Sequence, residues 1–346
     1  MARDSNRIYI VAEMSANHNQ DYERAEAIIY SAKEAGADAV KLQTYTPDTM
    51  TIDSDRLEFR VSGGTPWDGE TLYNLYKRAY MPWEWQPKLK ELADSIEIDL
   101  FSTAYDRTSV DFLEDMGVPI HKISSYELTD LPLIEYVASK KKPLILSTGM
   151  ATLSEIKNAV NTARDNGVTD ITLLKCVSAY PAPPDEMNLR SIGDLCLQFV
   201  ALRDVRIDIG LSDHTLGSVV PLIAVAFGIS MIEKHFTLSR NEPSPDSSFS
   251  MEPDEFNKMI GDIRIAELSL GSRALKITGA EENSKKFRRS LFVVKDMKAG
   301  DIFTDNNVKS IRPEYGLSPK YLLYTLGRKA TKDIERGTPL DWDLLI

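Results

Sequence analysis

Apolar and polar positions follow one recurring pattern over the first 270 residues. A short apolar run is followed by a polar or glycine-containing loop and then by an amphipathic helical stretch. The helical stretches include Tyr22–Ala35, Leu153–Asn166 and Pro253–Leu270. The apolar runs are Ile8–Ala12, Ala39–Leu42, Ile98–Phe101, Ile120–Ile123, Leu144–Leu146, Ile171–Leu174, Ile207–Leu211 and Met231–Ile232.

This alternation predicts parallel strands connected by helices. Eight such units fit a (β/α)8 TIM barrel of about 270 residues. An open doubly wound sheet is the alternative, but no GxGxxG motif follows the first apolar run, which disfavours it. We therefore predict an α/β barrel domain over residues 1–275.

The segment between the second and third predicted strands is about 30 residues longer than a typical connection. It spans residues 44–82 and contains Trp67, Tyr73, Tyr76 and Tyr80. These aromatic residues argue against disorder. We interpret the segment as an ordered insertion at the catalytic end of the barrel.

The pattern changes after residue 275. Residues 276–287 are polar and charged and are predicted to form a linker. Residues 288–346 contain a repeat with an offset of 37 residues, in which Lys295, Asp296 and Gly300 align with Lys332, Asp333 and Gly337. Such a duplication predicts a small β-rich domain with internal pseudo-symmetry.

Composition narrows the possible functions. The 346 residues carry a formal net charge of −11, whereas nucleic acids and anionic membranes attract basic surfaces. No run of 18 apolar residues predicts a membrane span, and the N-terminus lacks the apolar core of an export signal. With only two cysteines, the sequence predicts a protein of the reducing cytoplasm that binds neither nucleic acid nor membrane.

Polar side chains follow nearly every predicted strand. Because a TIM barrel carries its chemistry at the carboxyl ends of the strands, these residues are candidates for one shared site that binds an anion. In chain order they are Glu13, Lys41, Gln43, Ser102, Thr103, Lys122, Ser125, Glu127, Ser147, Thr148, Lys175, Ser178, Ser212, His214, Glu233 and His235.

Two histidines form the sharpest pair in this set. His214 and His235 end strands seven and eight, which are neighbours about 4.8 Å apart in a barrel. Imidazole ligands suit Mn, Fe, Co or Zn, and two protein ligands leave coordination positions for water and substrate. We therefore predict a divalent metal site, although either histidine could instead be a hydrogen-bonded core residue.

Two other classes of protein remain open on the residues alone. A Schiff-base aldolase would use one lysine as its nucleophile, and Lys175 at strand six is the candidate. A non-enzymatic carbohydrate-binding protein would rely on the small C-terminal domain. Neither alternative requires His214 and His235 together.

Eight ordered motifs resemble the N-acetylneuraminate (sialic acid) synthase family. They are IVAEMSANHNQ, GADAVKLQTY, FSTAYD, HKISSYEL, LSTGMA, LLKCVSAYPAPP, GLSDHT and IEKHFTL. The C-terminal repeat resembles the antifreeze-like (SAF) domain of that family. The segments QTYTPDTMT and TPWDGETLYNLYKRAYMPWEW look most like the pseudaminic acid branch of the family. Sialate-type members carry asparagine where this chain has Ser178. The shorter side chain is expected to alter the wall of the pocket, which argues against N-acetylmannosamine as the substrate.

The resemblance implies a condensation of phosphoenolpyruvate with an open-chain amino-sugar aldehyde and water. It implies a divalent metal, most often Mn²⁺ with Mg²⁺ or Co²⁺ possible, at His214 and His235. Glu127, Glu13 and Lys122 match catalytic positions. The implied phosphoenolpyruvate site is Lys41, Thr103, Lys122, Ser125, Ser147 and Ser212, and the implied sugar-binding residues are Gln43, Tyr180, Asp246 and Arg312.

In the family, the arginine that matches Arg312 reaches the sugar in the barrel of a second subunit. The resemblance therefore implies a domain-swapped homodimer whose partners are phosphoenolpyruvate and an amino sugar. The aromatic residues of segment 44–82, with Trp83 and Trp85, are candidates for apolar walls around a 6-deoxy diacetamido sugar. The alternative for Trp83 and Trp85 is that they pack at the start of a helix.

Overall fold

Eight parallel strands close into a barrel in the computed structural model, which describes residues 7–272 and 274–346. Each strand pairs with its sequence neighbours, and β1 pairs with β8. The strands match the eight predicted apolar runs. They are β1 (Tyr9–Glu13), β2 (Ala39–Thr44), β3 (Asp99–Ala104), β4 (His121–Ile123), β5 (Leu144–Ser147), β6 (Asp170–Cys176), β7 (Arg206–Asp213) and β8 (Met231–His235).

Helices cover the outside of the barrel and begin where the sequence supplies caps. The Asp21 side chain accepts from Arg24 N at the start of α1, and Thr152 with Glu155 forms a capping box at α7. The helices of this unit are α1 (Tyr22–Glu34), α2 (Pro47–Met50), α3 (Leu72–Ala79), α4 (Gln86–Ser95), α5 (Arg107–Asp115), α6 (Leu131–Ala138), α7 (Leu153–Asp165), α8 (Ser191–Phe199), α9 (Val219–Val225) and α10 (Pro253–Leu270).

The register of the barrel aligns the polar strand ends. Glu13 is paired with Lys41 on one side and with His235 on the other. Thr103 is paired with Lys122, and Ser212 with Glu233. Residues paired across neighbouring parallel strands point to the same face of the sheet. The closed register therefore collects these side chains at one end of the barrel interior.

The chain divides at Gly271, and Ser272–Ile346 forms a second compact unit. It contains α11 (Gly279–Glu282), β9 (Ser290–Val293), β10 (Val308–Ile311) and α12 (Leu322–Thr325). Strands β9 and β10 pair antiparallel. The core of this unit consists of Leu291, Val293, Met297, Phe303, Val308, Ala330, Ile334, Leu340 and Leu344.

The predicted repeat is a structural one. Met297 and Ile334, which are 37 residues apart, exchange backbone hydrogen bonds of 2.8 and 2.9 Å. Asp296 accepts from the backbone N of Arg336, and the equivalent Asp333 accepts from the backbone N of Ala299. Each half of the repeat thus binds the other through equivalent atoms.

Among the described residues, no helix has the length and apolar composition that crossing a membrane requires.

Candidate active site

A cavity of about 420 Å³ opens at the carboxyl ends of the barrel strands. The family resemblance implies fourteen site residues, and thirteen of them line this cavity. The fourteenth, Arg312, belongs to the second unit. Those that line the cavity are Glu13, Lys41, Gln43, Thr103, Lys122, Ser125, Glu127, Ser147, Tyr180, Ser212, His214, His235 and Asp246.

A buried cluster of two lysines and two glutamates forms part of the cavity wall. Lys41 Nζ lies 2.5 Å from Glu13 Oε2 and 3.7 Å from Glu233 Oε1. Lys122 Nζ lies 3.9 Å from the same Glu233 oxygen. The opposite charges offset one another, which reduces the cost of burying four ionisable groups.

The pKa values of this cluster separate the roles of the two lysines. Burial opposes the charge of Lys41, but Glu13 and Glu233 raise its pKa above the ordinary value. Burial lowers the pKa of Lys122, and Glu233 only partly opposes that shift. Burial also raises the pKa of Glu13 to about 7 against the attraction of Lys41. Lys41 is therefore the more firmly ionised lysine.

Four hydroxyl groups line the same cavity as the two lysines. Thr103 Oγ1 accepts from Lys41 Nζ at 3.0 Å, and Ser212 Oγ donates to Glu233 Oε1 at 3.1 Å. Ser125 Oγ accepts from the backbone N of Gly149 at 3.0 Å. Ser147 Oγ is buried and has no hydrogen-bond partner among the described residues. A buried polar atom without a partner is costly, so Ser147 marks a place where a ligand atom fits.

The close approach at Ser125 requires a glycine. A Cβ at position 149 would lie 2.7 Å from Ser125 Oγ, closer than real side chains allow. Gly149 thereby lets its backbone N–H hold the Ser125 hydroxyl in place at the edge of the cavity.

His214 and His235 converge as predicted. Their ring centroids are 5.4 Å apart, and the Tyr180 ring lies 4.3 Å from that of His214. His214 Nδ1 lies 2.9 Å from the carbonyl oxygen of Val177, which leaves Nε2 for a ligand. His235 Nδ1 is buried and has no hydrogen-bond partner in the part of the chain that the structure describes. Burial holds the pKa of His235 well below its ordinary value.

The low pKa of His235 fits a divalent cation, because a neutral imidazole nitrogen is the metal-binding form. Burial opposes the charge of His214, but the nearby Cys176 raises the pKa of His214 above its ordinary value. No group of three or more His, Cys, Asp and Glu residues suited to a metal ion occurs in the described part of the chain. A cation held by the two histidines would thus keep several positions open for substrate and water.

Gln43 and Asp246 belong to a second polar group, which also includes Glu13 and Ser15. Gln43 Nε2 donates to Glu13 Oε1 at 3.2 Å and to Ser15 Oγ at 3.0 Å. Ser15 Oγ in turn donates to Asp246 Oδ2, whose pKa is raised by burial. This chain of contacts links Glu13 on β1 to Asp246 in the loop after β8.

Glu127 lies apart from that network, in the loop after β4, where its Oε2 accepts from Ser124 Oγ. Burial raises the pKa of Glu127. A carboxyl group in this state can take or give a proton near neutral pH more readily than an exposed one.

The insertion contributes fewer aromatic walls than the sequence suggested. Trp67 and Tyr76 line the cavity, and Trp67 Nε1 donates to the carbonyl oxygen of Pro245 at 2.9 Å. Trp83 packs on Phe112, 4.9 Å between ring centroids, and Trp85 packs on Tyr22. Tyr73 and Tyr80 do not line the cavity, so the prediction that they form its wall is wrong. Trp83 and Trp85 do not line it either, and their contacts agree with the alternative that they pack at the start of a helix, α4.

Four of the sixteen strand-end candidates do not line the cavity: Ser102, Thr148, Lys175 and Ser178. Lys175 Nζ donates to the carbonyl oxygen of Cys176, and Lys175 does not line the cavity. The Ser178 hydroxyl faces Cys176 Sγ at 3.8 Å and is not part of the cavity wall either. The difference between serine here and asparagine in sialate-type members therefore does not alter the cavity wall directly.

Glu233 was predicted only as one of the strand-end candidates, and Cys176 was not predicted to belong to the site. Both line the cavity. Although burial opposes the thiolate, His214 lowers the pKa of Cys176 to about 7. The position of Glu233 two residues before His235 is the signal that could have assigned it, since alternate residues of a strand share a face.

Comparisons with known proteins agree with this geometry. The pseudaminic acid synthase of Helicobacter pylori is 45% identical over 336 residues, which cover 96% of both chains. The N,N'-diacetyllegionaminic acid synthase of Legionella pneumophila is 36% identical, covering 97% of this chain and 94% of that protein. A crystal structure of N-acetylneuraminic acid synthetase from Leptospira borgpetersenii is 31% identical with a TM-score of 0.71, covering 81% of this chain and 90% of that one.

Family models identify both units of the chain. The model of the SAF domain matches residues 288–346, within the second unit. The model of the NeuB family matches residues 28–274, which include nearly the whole barrel. The chain therefore belongs to the NeuB family and carries a C-terminal SAF domain.

Proposed function

We propose that this protein is a pseudaminic acid synthase. It condenses phosphoenolpyruvate with 2,4-diacetamido-2,4,6-trideoxy-L-altrose and water, and it releases pseudaminic acid and phosphate. The observation that carries the proposal is the cluster of Lys41, Lys122 and two histidines in one cavity, in a chain 45% identical to the Helicobacter pylori synthase. N-acetylneuraminate and legionaminate synthesis are the alternatives within the family.

Phosphoenolpyruvate needs cations and donors for a phosphate and a carboxylate. Lys41 and Lys122 supply the cations, and Thr103, Ser125, Ser147 and Ser212 supply hydroxyl groups. The unpartnered Ser147 Oγ supports this assignment, because an oxyanion would satisfy it. His214 and His235 would hold the divalent cation, most consistent with Mn²⁺, which supplies Lewis-acid polarisation of the aldehyde oxygen.

The residues of the chain support three changes in bonding. C3 of phosphoenolpyruvate forms a bond to C1 of the sugar as the π bond of the aldehyde C=O breaks and its oxygen takes up a proton. This leaves positive character at C2, which the Glu127 carboxylate stabilises. Water then adds to C2 and gives up a proton, for which Glu13 and Glu127 are the nearby carboxylates. The C2–oxygen bond to phosphate finally breaks, and Lys41 and Lys122 stabilise the departing charge.

A Schiff-base aldolase is the competing chemistry. Lys175 does not line the cavity, and the two lysines that do are both next to Glu233. A Schiff-base enzyme would be inactivated by borohydride in the presence of pyruvate and would be insensitive to chelators. For this protein we expect no inactivation by borohydride with pyruvate, and we expect a chelator to abolish activity.

Phosphate release tests the sugar assignment. Purified protein is incubated with phosphoenolpyruvate, Mn²⁺ and one of three sugars: the diacetamido-trideoxy-altrose, its legionaminate-type epimer or N-acetylmannosamine. We expect kcat/KM for the altrose to exceed the others by at least about tenfold, equivalent to about 1.4 kcal/mol. A clear preference for N-acetylmannosamine would refute the assignment, and Lys41→Ala protein supplies the inactive control.

We further propose that Arg312 completes the active site of a partner subunit in a homodimer. Arg312 follows β10, is exposed, and makes no hydrogen bond or ion pair among the described residues. Its guanidinium can donate several fixed hydrogen bonds to an acetamido carbonyl oxygen. The SAF domain has a small hydrophobic core, so packing against a partner subunit would add to its stability.

Complementation tests this arrangement. His214→Ala and Arg312→Ala proteins, each nearly inactive, are mixed under conditions that allow subunit exchange. If Arg312 acts in the partner, a mixed dimer holds one barrel with intact histidines and an intact arginine, so up to about a quarter of wild-type activity returns. Activity no higher than that of the parents would show that Arg312 acts within its own chain.

A further inference from the structure

The cavity has two chemically different parts. Its strand-end part contains the lysines, the histidines and their carboxylate partners. The part formed by residues 44–82 contributes no charged side chain, although that segment, described throughout, contains many. Its contributions are Tyr45, Met50, Val61, Thr65, Trp67, Leu72, Leu75, Tyr76 and Ala79.

Helix α3 presents a largely apolar face to the cavity, in which the Tyr76 hydroxyl is the polar group. Leu72, Leu75, Tyr76 and Ala79 occupy positions i, i+3, i+4 and i+7, which share one side of a helix. Leu75 and Ala79 are each 8% exposed. The opposite side carries exposed polar residues such as Lys77. The apolar face of this helix thus contributes to a ligand cavity as well as to packing.

This face is held in place from two directions. The Tyr76 ring packs on Tyr45 at 5.7 Å between centroids, and Tyr45 packs on Tyr105 at 5.3 Å. At the end of the helix, Gln20 Nε2 donates to the carbonyl oxygens of Lys77 and Tyr80 at 2.9 and 3.2 Å. The apolar surface is therefore formed before substrate binds, which favours selectivity.

The direction of the bound sugar follows from its chemistry. The aldehyde carbon C1 must lie beside the lysines and histidines, where phosphoenolpyruvate reacts. In an open-chain hexose C6 is at the other end of the carbon chain, away from the lysines and histidines. Residues 44–82 supply most of the apolar side chains of the cavity, and an apolar surface suits a methyl group at C6.

Resting on the proposed function, we propose that Leu72, Leu75 and Ala79 of α3, with Val61, form the binding site for the C6 methyl group. The site selects 6-deoxy sugars over their 6-hydroxy counterparts. A hydroxyl at C6 would lose its water and find no hydrogen-bonding group on these four side chains. An apolar pocket of this kind discriminates against an added hydroxyl by up to about 100-fold.

The test uses two sugars of the altro configuration that differ only at C6, one deoxy and one hydroxylated. For the wild-type protein we expect kcat/KM to favour the deoxy sugar by about 10- to 100-fold. Ala79→Ser and Leu72→Asn each introduce a polar group on the apolar face, and Val61→Thr introduces one at nearly constant shape. We expect each to lower the preference at least about fivefold, with the KM for phosphoenolpyruvate unchanged.

Lys77→Ala, on the opposite side of the same helix, is the matched control and should keep the wild-type preference. Circular dichroism and the unchanged KM for phosphoenolpyruvate identify variants that have folded. A wild-type enzyme that uses both altro sugars equally well overturns this inference and leaves the proposed function standing. An unchanged preference in folded Val61→Thr and Ala79→Ser proteins overturns it as well. No turnover of either sugar by the wild type overturns both proposals together.

Discussion

His214→Ala is expected to lower kcat by about 10³-fold or more, equivalent to about 4 kcal/mol of transition-state stabilisation. His214 and His235 are the histidines whose rings meet at the cavity, and the buried His235 Nδ1 has no partner within residues 7–272 and 274–346. Removing either imidazole leaves one protein nitrogen, which is too few to retain a divalent ion at a defined place. The measurement is phosphate release, together with the metal content of the purified chain.

His121→Gln is the matched control for this variant. His121 is also buried, but its Nε2 lies 2.7 Å from Glu114 Oε1, and it does not line the cavity. We expect this variant to keep its metal and most of its turnover. Full activity of wild-type protein that has been treated with EDTA and verified to be metal-free would contradict the role of both site histidines.

The barrel could be predicted because its signal is local. Each strand is buried on both faces, so it appears in the sequence as a short apolar run, and all eight runs match strands. The polar residues that end those strands also follow from topology. Once the barrel closes, Glu13 must lie beside both Lys41 and His235, whatever the loops do.

The path of residues 44–82 could not be predicted in the same way. Trp67 is fixed by Pro245, which is 178 residues away, and Trp83 is fixed by Phe112. Neither partner is marked by a local pattern, because aromatic residues suit a ligand pocket and a helix interface equally well. Lys175 illustrates the same limit, since a half-buried lysine at a strand end can bond to a backbone carbonyl instead of a substrate.

A buried ion pair directly precedes the two site histidines in the sequence. Asp213 and Lys234 are register partners on β7 and β8, and Lys234 Nζ lies 2.5 Å from Asp213 Oδ2. Their side chains are 0% and 1% exposed. Lys234 Nζ also donates to the carbonyl oxygen of Thr215 at 2.6 Å, and Thr215 donates to both carboxylate oxygens of Asp213. The pair joins the two strands at the positions that set the separation of His214 and His235.

Asp213→Ala is therefore expected to destabilise the barrel by about 3–5 kcal/mol, because it leaves the Lys234 ammonium buried without a countercharge. For a unit of this size the midpoint of thermal unfolding should fall by roughly 10 °C, measured by calorimetry on metal-free protein.

Lys258→Met is the control, since Lys258 pairs with Asp262 at the same 2.5 Å but on the surface, where a pair contributes at most about 1 kcal/mol. The double variant Asp213→Leu, Lys234→Met should recover much of the loss, because replacing both charges leaves none unpaired. An Asp213→Ala protein that melts within a degree or two of Lys258→Met would show that the buried pair does not stabilise the junction between β7 and β8.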